Sequence, residues 1–496
     1  MTTAQGKCRG LRKLPSMEKA ILAVALLLTS LSGSIAAGSK ADDRLLIRGG
    51  WLFDSVSAER RVNSGILVEN GVITALDLPD TRIHSQDTKI IKLSDEQTVL
   101  PGLVDLHAHY GFDFLDEGRV VEAAYNGIVY LANGVTSTWS AGEFNPERII
   151  AQRNLIESGE AVGPRLLSSG PYFGGFRCEY NVKVAADDCV AWPNDITEQE
   201  IKNEVDYWAG TGITSVKIKQ ATPHEMSIII NQAKQHGLTT TGHLANYNIE
   251  FDVSTQQAIK LGIDRIEHQL LLALSPEEAD QEELDTAVKL MIDHQVFYDA
   301  NLQMYGSVNL REKHREEMVW TNEGQYFTPY GQKLLLQRGP PPPESDWPEY
   351  RQRLIELMAL YNSGGENLLV VGTDEPVYTL LLPGFAYHRE LLALTYAGLP
   401  NHIVLKAATL NGATALGLGA SLGSIEVNKL ADLIIVNGNP LADIKHARNI
   451  HRVIKQGFVH DPKTLLKSAE GKIGPQDEND RAQWILEIPP LRTAVK

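Results

Sequence analysis

Between residues 103 and 373 the chain alternates short apolar runs with longer amphipathic stretches, and does so eight times. The candidate strands are Leu103–His109, Val135–Trp139, Arg165–Ser169, Thr214–Lys219, Leu238–His243, Ile263–Glu267, Val296–Ala300 and Leu368–Thr373. Helical stretches lie between them, for example Thr197–Ala209, Glu225–His236 and Ser275–His294. Strands that alternate with helices must pair in parallel, because each crossover helix returns the chain to the same edge. Eight repeats over residues 101–417 suit an α/β fold of the (β/α)8, or TIM-barrel, type. The rival is an open doubly wound sheet. It would want a glycine-rich phosphate loop after a strand, and no such loop is present.

Both flanks of this region read differently. Residues 44–100 hold short strands punctuated by Gly, Asn and Asp: Leu45–Arg48, Gly65–Val68 and Val72–Leu76. The pattern returns over residues 418–465, in Gly423–Ile425, Ala431–Val436 and Val453–Lys455. The expectation is one small β-sandwich domain built from both ends of the chain. Residues 466–496 read as a C-terminal extension. An insertion, residues 302–365, separates the seventh and eighth strands and carries Gly339-Pro340-Pro341-Pro342-Pro343. That run must be extended. The insertion is expected to be either a lid over the strand ends or a rigid surface connector.

The 496 residues exceed one average domain, and 43% hydrophobic with 22% charged residues supply an ordinary core. The net charge of −16 disfavours nucleic-acid binding, which needs a basic surface. At the amino terminus Lys7, Arg9, Arg12, Lys13 and Lys19 precede the apolar run Ile21–Leu28, and small residues follow. This order is that of a secretory signal peptide, residues 1–36, with Ser34-Ile35-Ala36 as the cleavage site. The apolar run is far short of the ~20 residues of a span, so no stable membrane span is expected after cleavage. Cleavage removes those five basic residues and Glu18, taking the charge from −16 to −20. The expected location is periplasmic or secreted. There, Cys178 and Cys189 would close a small disulfide loop.

The chemistry sits at strand ends. His107 and His109 close the first strand, and residues i and i+2 of a strand face the same side. His243 ends the fifth strand, His268 the sixth and Asp374 the eighth. Carboxyl ends of barrel strands converge on one point, so three imidazole-bearing strands and a carboxylate would meet there. Imidazole with carboxylate suits Zn2+ and similar ions. The fourth strand adds Lys217 and Lys219, which share a face, and an inward lysine needs a use. An amine beside two cations would deprotonate easily, and could then take up carbon dioxide as a bridging carbamate. Spacing alone does not choose between the two lysines.

The order His-x-His, Lys, His, His, Asp resembles the amidohydrolase superfamily in its binuclear form. Leu100-Pro101-Gly102-Leu103-Val104-Asp105-Leu106-His107-Ala108-His109 is similar to the first-strand motif of that family. Gly262–His268, Gly372-Thr373-Asp374, Ala407–Ala413 and the stretch from Gly423 to Ile434 resemble its prolidase-like and imidazolonepropionase-like branch. The resemblance implies two divalent ions, zinc by default. His107, His109 and Asp374 would hold the more buried ion, and His243 and His268 the second. It implies carbamylation of Lys217 rather than Lys219. Relatives acting as dipeptidases carry His-Ala-Tyr at the fifth strand, where this chain has His243-Leu244-Ala245 with Tyr247 displaced. Relatives place Arg-Asp after the second strand, where Trp139-Ser140 stand here.

The expected activity is metal-dependent hydrolysis of a carbon–nitrogen amide bond, in a dipeptide or N-acyl amino acid, by a metal-bridging hydroxide. Asp374 would serve as general base and then general acid. Hydrolysis of a lactone, ester, carbamate or phosphotriester is the alternative at the same centre. The expected partner is a small-molecule substrate, with self-association into a homo-oligomer left open. Arg177, Asn246, Tyr247 and Tyr305 lie on strand-end loops within reach of a substrate.

Overall fold

A computed structural model describes residues 44–78, 88–112, 120–143, 145–175, 196–245, 252–306, 323–338, 347–375 and 382–481. The signal segment, Cys178, Cys189, Arg177, Asn246, Tyr247 and the proline run lie outside the described residues. No described helix is long and apolar enough to cross a membrane.

Seven of the eight expected parallel strands form: β1 (Leu103–Ala108), β2 (Val135–Ser140), β3 (Arg165–Ser168), β4 (Ser215–Lys219), β5 (Thr239–His243), β6 (Arg265–Glu267) and β7 (Phe297–Asp299). β1, β2 and β3 pair in one parallel sheet. The short strand Tyr172–Phe173 pairs with β4, and β4 through β7 continue in parallel. The register sets Lys217 beside Thr241, Thr241 beside Arg265 and Arg265 beside Phe297. The sequence led us to expect a continuous eighth strand at Leu368–Thr373, but the segment forms only isolated bridges, Tyr298 with Leu369 and Ala108 with Glu375. It still bonds on both sides: the Val370 N–H donates to Tyr298 and the Leu106 N–H to Val371.

Helices cover these strands, and their ends follow local chemistry. Among the described residues the first three are α1 (Ala123–Ala132), α2 (Pro146–Glu157) and α3 (Glu198–Gly210). α4 (Pro223–Gln235) starts at a capping box, Thr222 with Glu225, and has proline in its first turn. Its buried residues Met226, Ile229, Ile230 and Ala233 follow the i, i+3, i+4, i+7 stripe. Each of the larger three contributes about 1.5–3 kcal/mol by leaving water. α5 (Thr255–Leu261) is capped by Ser254 and stopped by left-handed Gly262. α6 (Gln281–His294) begins six residues later than the periodicity predicts, because Asp280 accepts from the N–H groups of Glu282 and Glu283 and fixes the cap there. Of the insertion, expected as a lid or connector, the described residues include two helices, α7 (Pro329–Arg338) and α8 (Trp347–Asn362). α9 (Phe385–Tyr396) follows the eighth segment.

The two flanks meet in strands. Gln97–Pro101 pairs antiparallel with Leu433–Asn437, joining positions more than 300 residues apart into a six-stranded sheet. A four-stranded sheet holds Arg44–Arg48, Ile66–Glu69, Val72–Leu76 and Lys89–Lys92. Leu45, Ile47, Ile66, Val99, Leu433 and Ile435 belong to one buried cluster, so both flanks fill the same small core. The expected strand at Gly423–Ile425 does not form.

Candidate metal centre

β1 delivers His107 and, one step past its end, His109, as period-2 alternation requires. Both are buried, at 1% and 2% exposed. Asp374 arrives from the eighth segment: its carboxylate lies 2.9 Å from His109 Nε2 and 3.4 Å from His107 Nε2. His268 follows β6, with Nε2 3.8 Å from the same carboxylate. His268 and Asp374 both have positive φ, 68° and 53°. Such backbone is costly for side-chain-bearing residues, and here it turns each side chain inward at a strand end.

Among the described residues, two groups of donor atoms each lie within 4.8 Å of one another: His107, His109 and Asp374, and His107, Glu267 and His268. His243 stands against His268, with ring centroids 4.5 Å apart, but belongs to neither group. Lys217 is 1% exposed, and its Nζ lies 3.3 Å from His107 Nε2 and against the Glu267 carboxylate. Lys219 is only half-buried. The fold thus brings Lys217, of the two lysines, against His107.

Burial dominates the electrostatics. It pushes His107 and His268 well below the usual imidazole range, with Lys217 adding to the effect at both. Burial lowers the Lys217 amine as well, against the pull of Asp374. Neutral imidazoles are what a divalent ion needs. His268 Nδ1 is buried without a hydrogen-bond partner among the described residues. A buried nitrogen of that kind fits an ion ligand better than a packing group. The donor set fits divalent metal.

Residues that the sequence reading did not single out support this cluster. Asp299, at the end of β7, sits 3.3 Å from His107 Nδ1. An Nδ1–H donated there leaves Nε2 to face an ion, the usual way a carboxylate orients a ligating histidine. Asp105 accepts the His107 N–H at 3.0 Å and the Thr373 hydroxyl at 2.8 Å, tying β1 to the eighth segment. Burial raises both Asp105 and Asp299 to about 7. Arg265 stacks over Trp139 at 4.4 Å and lies 3.7 Å from Glu267. From α8, Glu356 accepts the N–H groups of Leu270 and Leu271 at 2.7 and 3.1 Å, fixing the loop that carries His268. A carboxylate at the end of a strand, as in Phe297-Tyr298-Asp299, was the available signal. Glu267 was equally visible, directly before His268.

Gly372 shows how tightly the cluster is packed. A Cβ there would come 2.2 Å from Asp299 Oδ2 and 2.5 Å from His107 Cβ. Gly372→Ala is therefore expected to destabilise the protein by about 1–3 kcal/mol and to displace His107. Thermal unfolding and metal content check this; wild-type values for both would contradict the packing argument.

The match to the family model described as the amidohydrolase family spans residues 98–459, most of the chain. An imidazolonepropionase from Syntrophobacter fumaroxidans is 34% identical over 112 residues, which is 22% of this chain. The matched segment spans about a quarter of that relative, 26%. A solved Xaa-Pro dipeptidase with bound methionine superposes with a TM-score of 0.65 at 24% identity, covering 84% of this chain and 100% of that one. Ochratoxinase from A. niger superposes at 0.61 with 19% identity, over 89% of this chain and 99% of the other. At these identities the two structures share the fold of the chain.

Proposed function

Because the chain belongs to the amidohydrolase family, we propose that it is an exported, metal-dependent hydrolase cleaving the amide bond of a dipeptide or N-acyl amino acid. The observation that carries this reading is the convergence of His107, His109, His268 and Asp374 from three separate strand ends. In this reading the eight parallel segments close as one (β/α)8 barrel, supported by the bonds that the eighth segment makes on both sides. The two small sheets form a sandwich over their shared core. The signal-like amino terminus supports export to the periplasm or outside.

His107, His109 and Asp374 would hold one ion and His243 with His268 a second, zinc being the default for imidazole and carboxylate donors. Lys217 as a carbamate would join them; its burial beside His107 supports this. Divalent ions bound there supply Lewis acidity, which makes water a better nucleophile and stabilises charge on the scissile carbonyl oxygen. The chain itself must move the proton. The Asp374 carboxylate lies within 3.8 Å of three imidazoles, those of His107, His109 and His268, and it would accept the proton of the attacking water and return it to the leaving amine. Asp299 and Asp105 keep His107 oriented while this happens.

Arg353 bears on the substrate. It projects from α8, is 1% exposed, and lies over the Tyr305 ring at 3.3 Å. Tyr305 in turn meets His268 edge-on at 5.5 Å. Trp139-Ser140 occupy the place where relatives carry Arg-Asp, so Arg353 is the cation that would meet a substrate carboxylate in this reading. The test is amine release from dipeptides, N-acyl amino acids and their C-terminal amides. We expect the amides to lose about 10- to 100-fold in kcat/KM, the worth of one charge-assisted hydrogen bond, and Arg353→Met to erase that difference. Equal rates on acids and amides would reject the carboxylate contact. No amine release, with lactone or phosphotriester turnover instead, would reject the amide reading.

A further inference from the structure

A polar cavity, lined by none of the metal-centre residues, opens between the carboxyl end of α1, the first turn of α9 and the helix Pro462–Ala469. Its volume is about 180 Å3. That is roughly six times the share of one liquid water, and well below the ~300 Å3 at which pockets for larger organic ligands begin. The walls carry Arg389, Arg448 and Lys463 against one carboxylate, Glu323. The chain as a whole is strongly acidic, at −16, so three cations on one small concavity run against its surface.

The cations are arranged rather than scattered. Arg389 is 7% exposed, and its Nη2 donates to Glu323 Oε1, which fixes the guanidinium at the cavity floor. Arg448 is close enough to act electrostatically on both Glu323 and His388. Arg448 and Lys463 are exposed at the mouth. His388 adds no charge: its Nε2 donates to the Asn133 carbonyl at 2.9 Å, and burial pushes its pKa down to about 3. α9 begins at Gly384 without a side-chain cap, and Phe385, its first residue, lines the cavity. A pocket of this size, with an excess of cationic donors and a fixed guanidinium, matches a compact oxyanion.

We propose that this cavity is a binding site for a small tetrahedral dianion of the phosphate class, separate from the metal centre. Occupancy would hold α9 against α1 and the helix Pro462–Ala469. The residue next to Arg389 on α9 is Glu390, which accepts the N–H groups of Leu302 and Gln303. Gln303 in turn donates to the Thr373 carbonyl, beside Asp374. The site therefore braces an element that also supports the catalytic cluster.

The test uses the full-length, metal-loaded protein with inorganic phosphate as probe, at constant ionic strength set with chloride. Calorimetry and thermal unfolding should show saturable binding in the millimolar range or tighter, with a matching rise in Tm. Arg448→Ala with Lys463→Ala changes only exposed residues and should weaken binding by about tenfold or more. Arg448→Lys with Lys463→Arg should retain it. Phosphate binding that is unchanged in the alanine double variant would locate the anion at the metal ions and overturn the proposal. So would the absence of saturable binding. Acetate binding more tightly than phosphate would overturn the assignment to a tetrahedral dianion.

Discussion

Asp374→Asn is expected to leave the protein folded and to reduce turnover by about three orders of magnitude or more, the scale of a lost general base. Asn has nearly the shape of Asp and keeps an oxygen to face His109 Nε2, now at 2.9 Å. What it loses is the negative charge and the capacity to take a proton. The left-handed backbone at this position, φ 53°, is one that Asn tolerates well, so the change adds no backbone strain. The measurement pairs kcat on the best amide substrate with bound metal per chain and the Tm. A fall in kcat with metal retained assigns the loss to proton transfer. A fall in proportion to lost metal assigns Asp374 to ligation alone. Full activity would remove Asp374 from the mechanism.

Metal removal is expected to abolish activity and to lower the apparent Tm by roughly 4 °C for each ion lost, since an ion at a thousand times its Kd stabilises by about 4 kcal/mol and the unfolding entropy of a chain this long is about 1 kcal/mol/K. The physical reason lies in the charges left behind. Asp105, Glu267, Asp299 and Asp374 are all at most 9% exposed, and Lys217 and Arg265 are buried beside them. Burial has already driven Asp105 and Asp299 up to about 7, a sign that the ionised forms are poorly solvated there. Divalent ions would neutralise that excess. Dialysis against a chelator, then addition of Zn2+, Mn2+ or Co2+ to separate samples, reads both effects. Recovery of activity and Tm by added metal is the expected result. A Tm indifferent to metal would contradict a metal site at this cluster.

The strand ends were readable because strand periodicity and ligand chemistry point the same way. His107 and His109 are two apart and so share a face, and both are buried against Asp374. His268 and Asp374 each end an apolar strand pattern, and both reach the same point. The eighth strand was over-read: its apolar run is genuine, but it pairs only through isolated bridges at Leu369 and Glu375, and the Thr373 N–H donates to the Asp105 side chain rather than to a neighbouring strand. The insertion was under-read. Its proline run drew attention away from Trp347–Asn362, a helix whose inner face carries Gln352, Arg353 and Glu356, all at most 1% exposed. Buried polar residues weaken an amphipathic pattern, so a helix that serves a site looks like a loop.

By itself the sequence determined the order of elements and the chemical kinds that meet at the strand ends, because both follow from local periodicity and donor type. It left open which lysine reaches the cluster: a period of two gives Lys217 and Lys219 the same face but says nothing about depth. The tertiary structure decided that, burying Lys217 against His107 and leaving Lys219 half-exposed. It also decided the partners across long separations. Asp299 sits 192 residues from His107, and Glu356 is 86 from the Leu270 N–H that it accepts. Such contacts depend on how separate strands and helices pack around a shared centre, and local sequence carries no record of that distance.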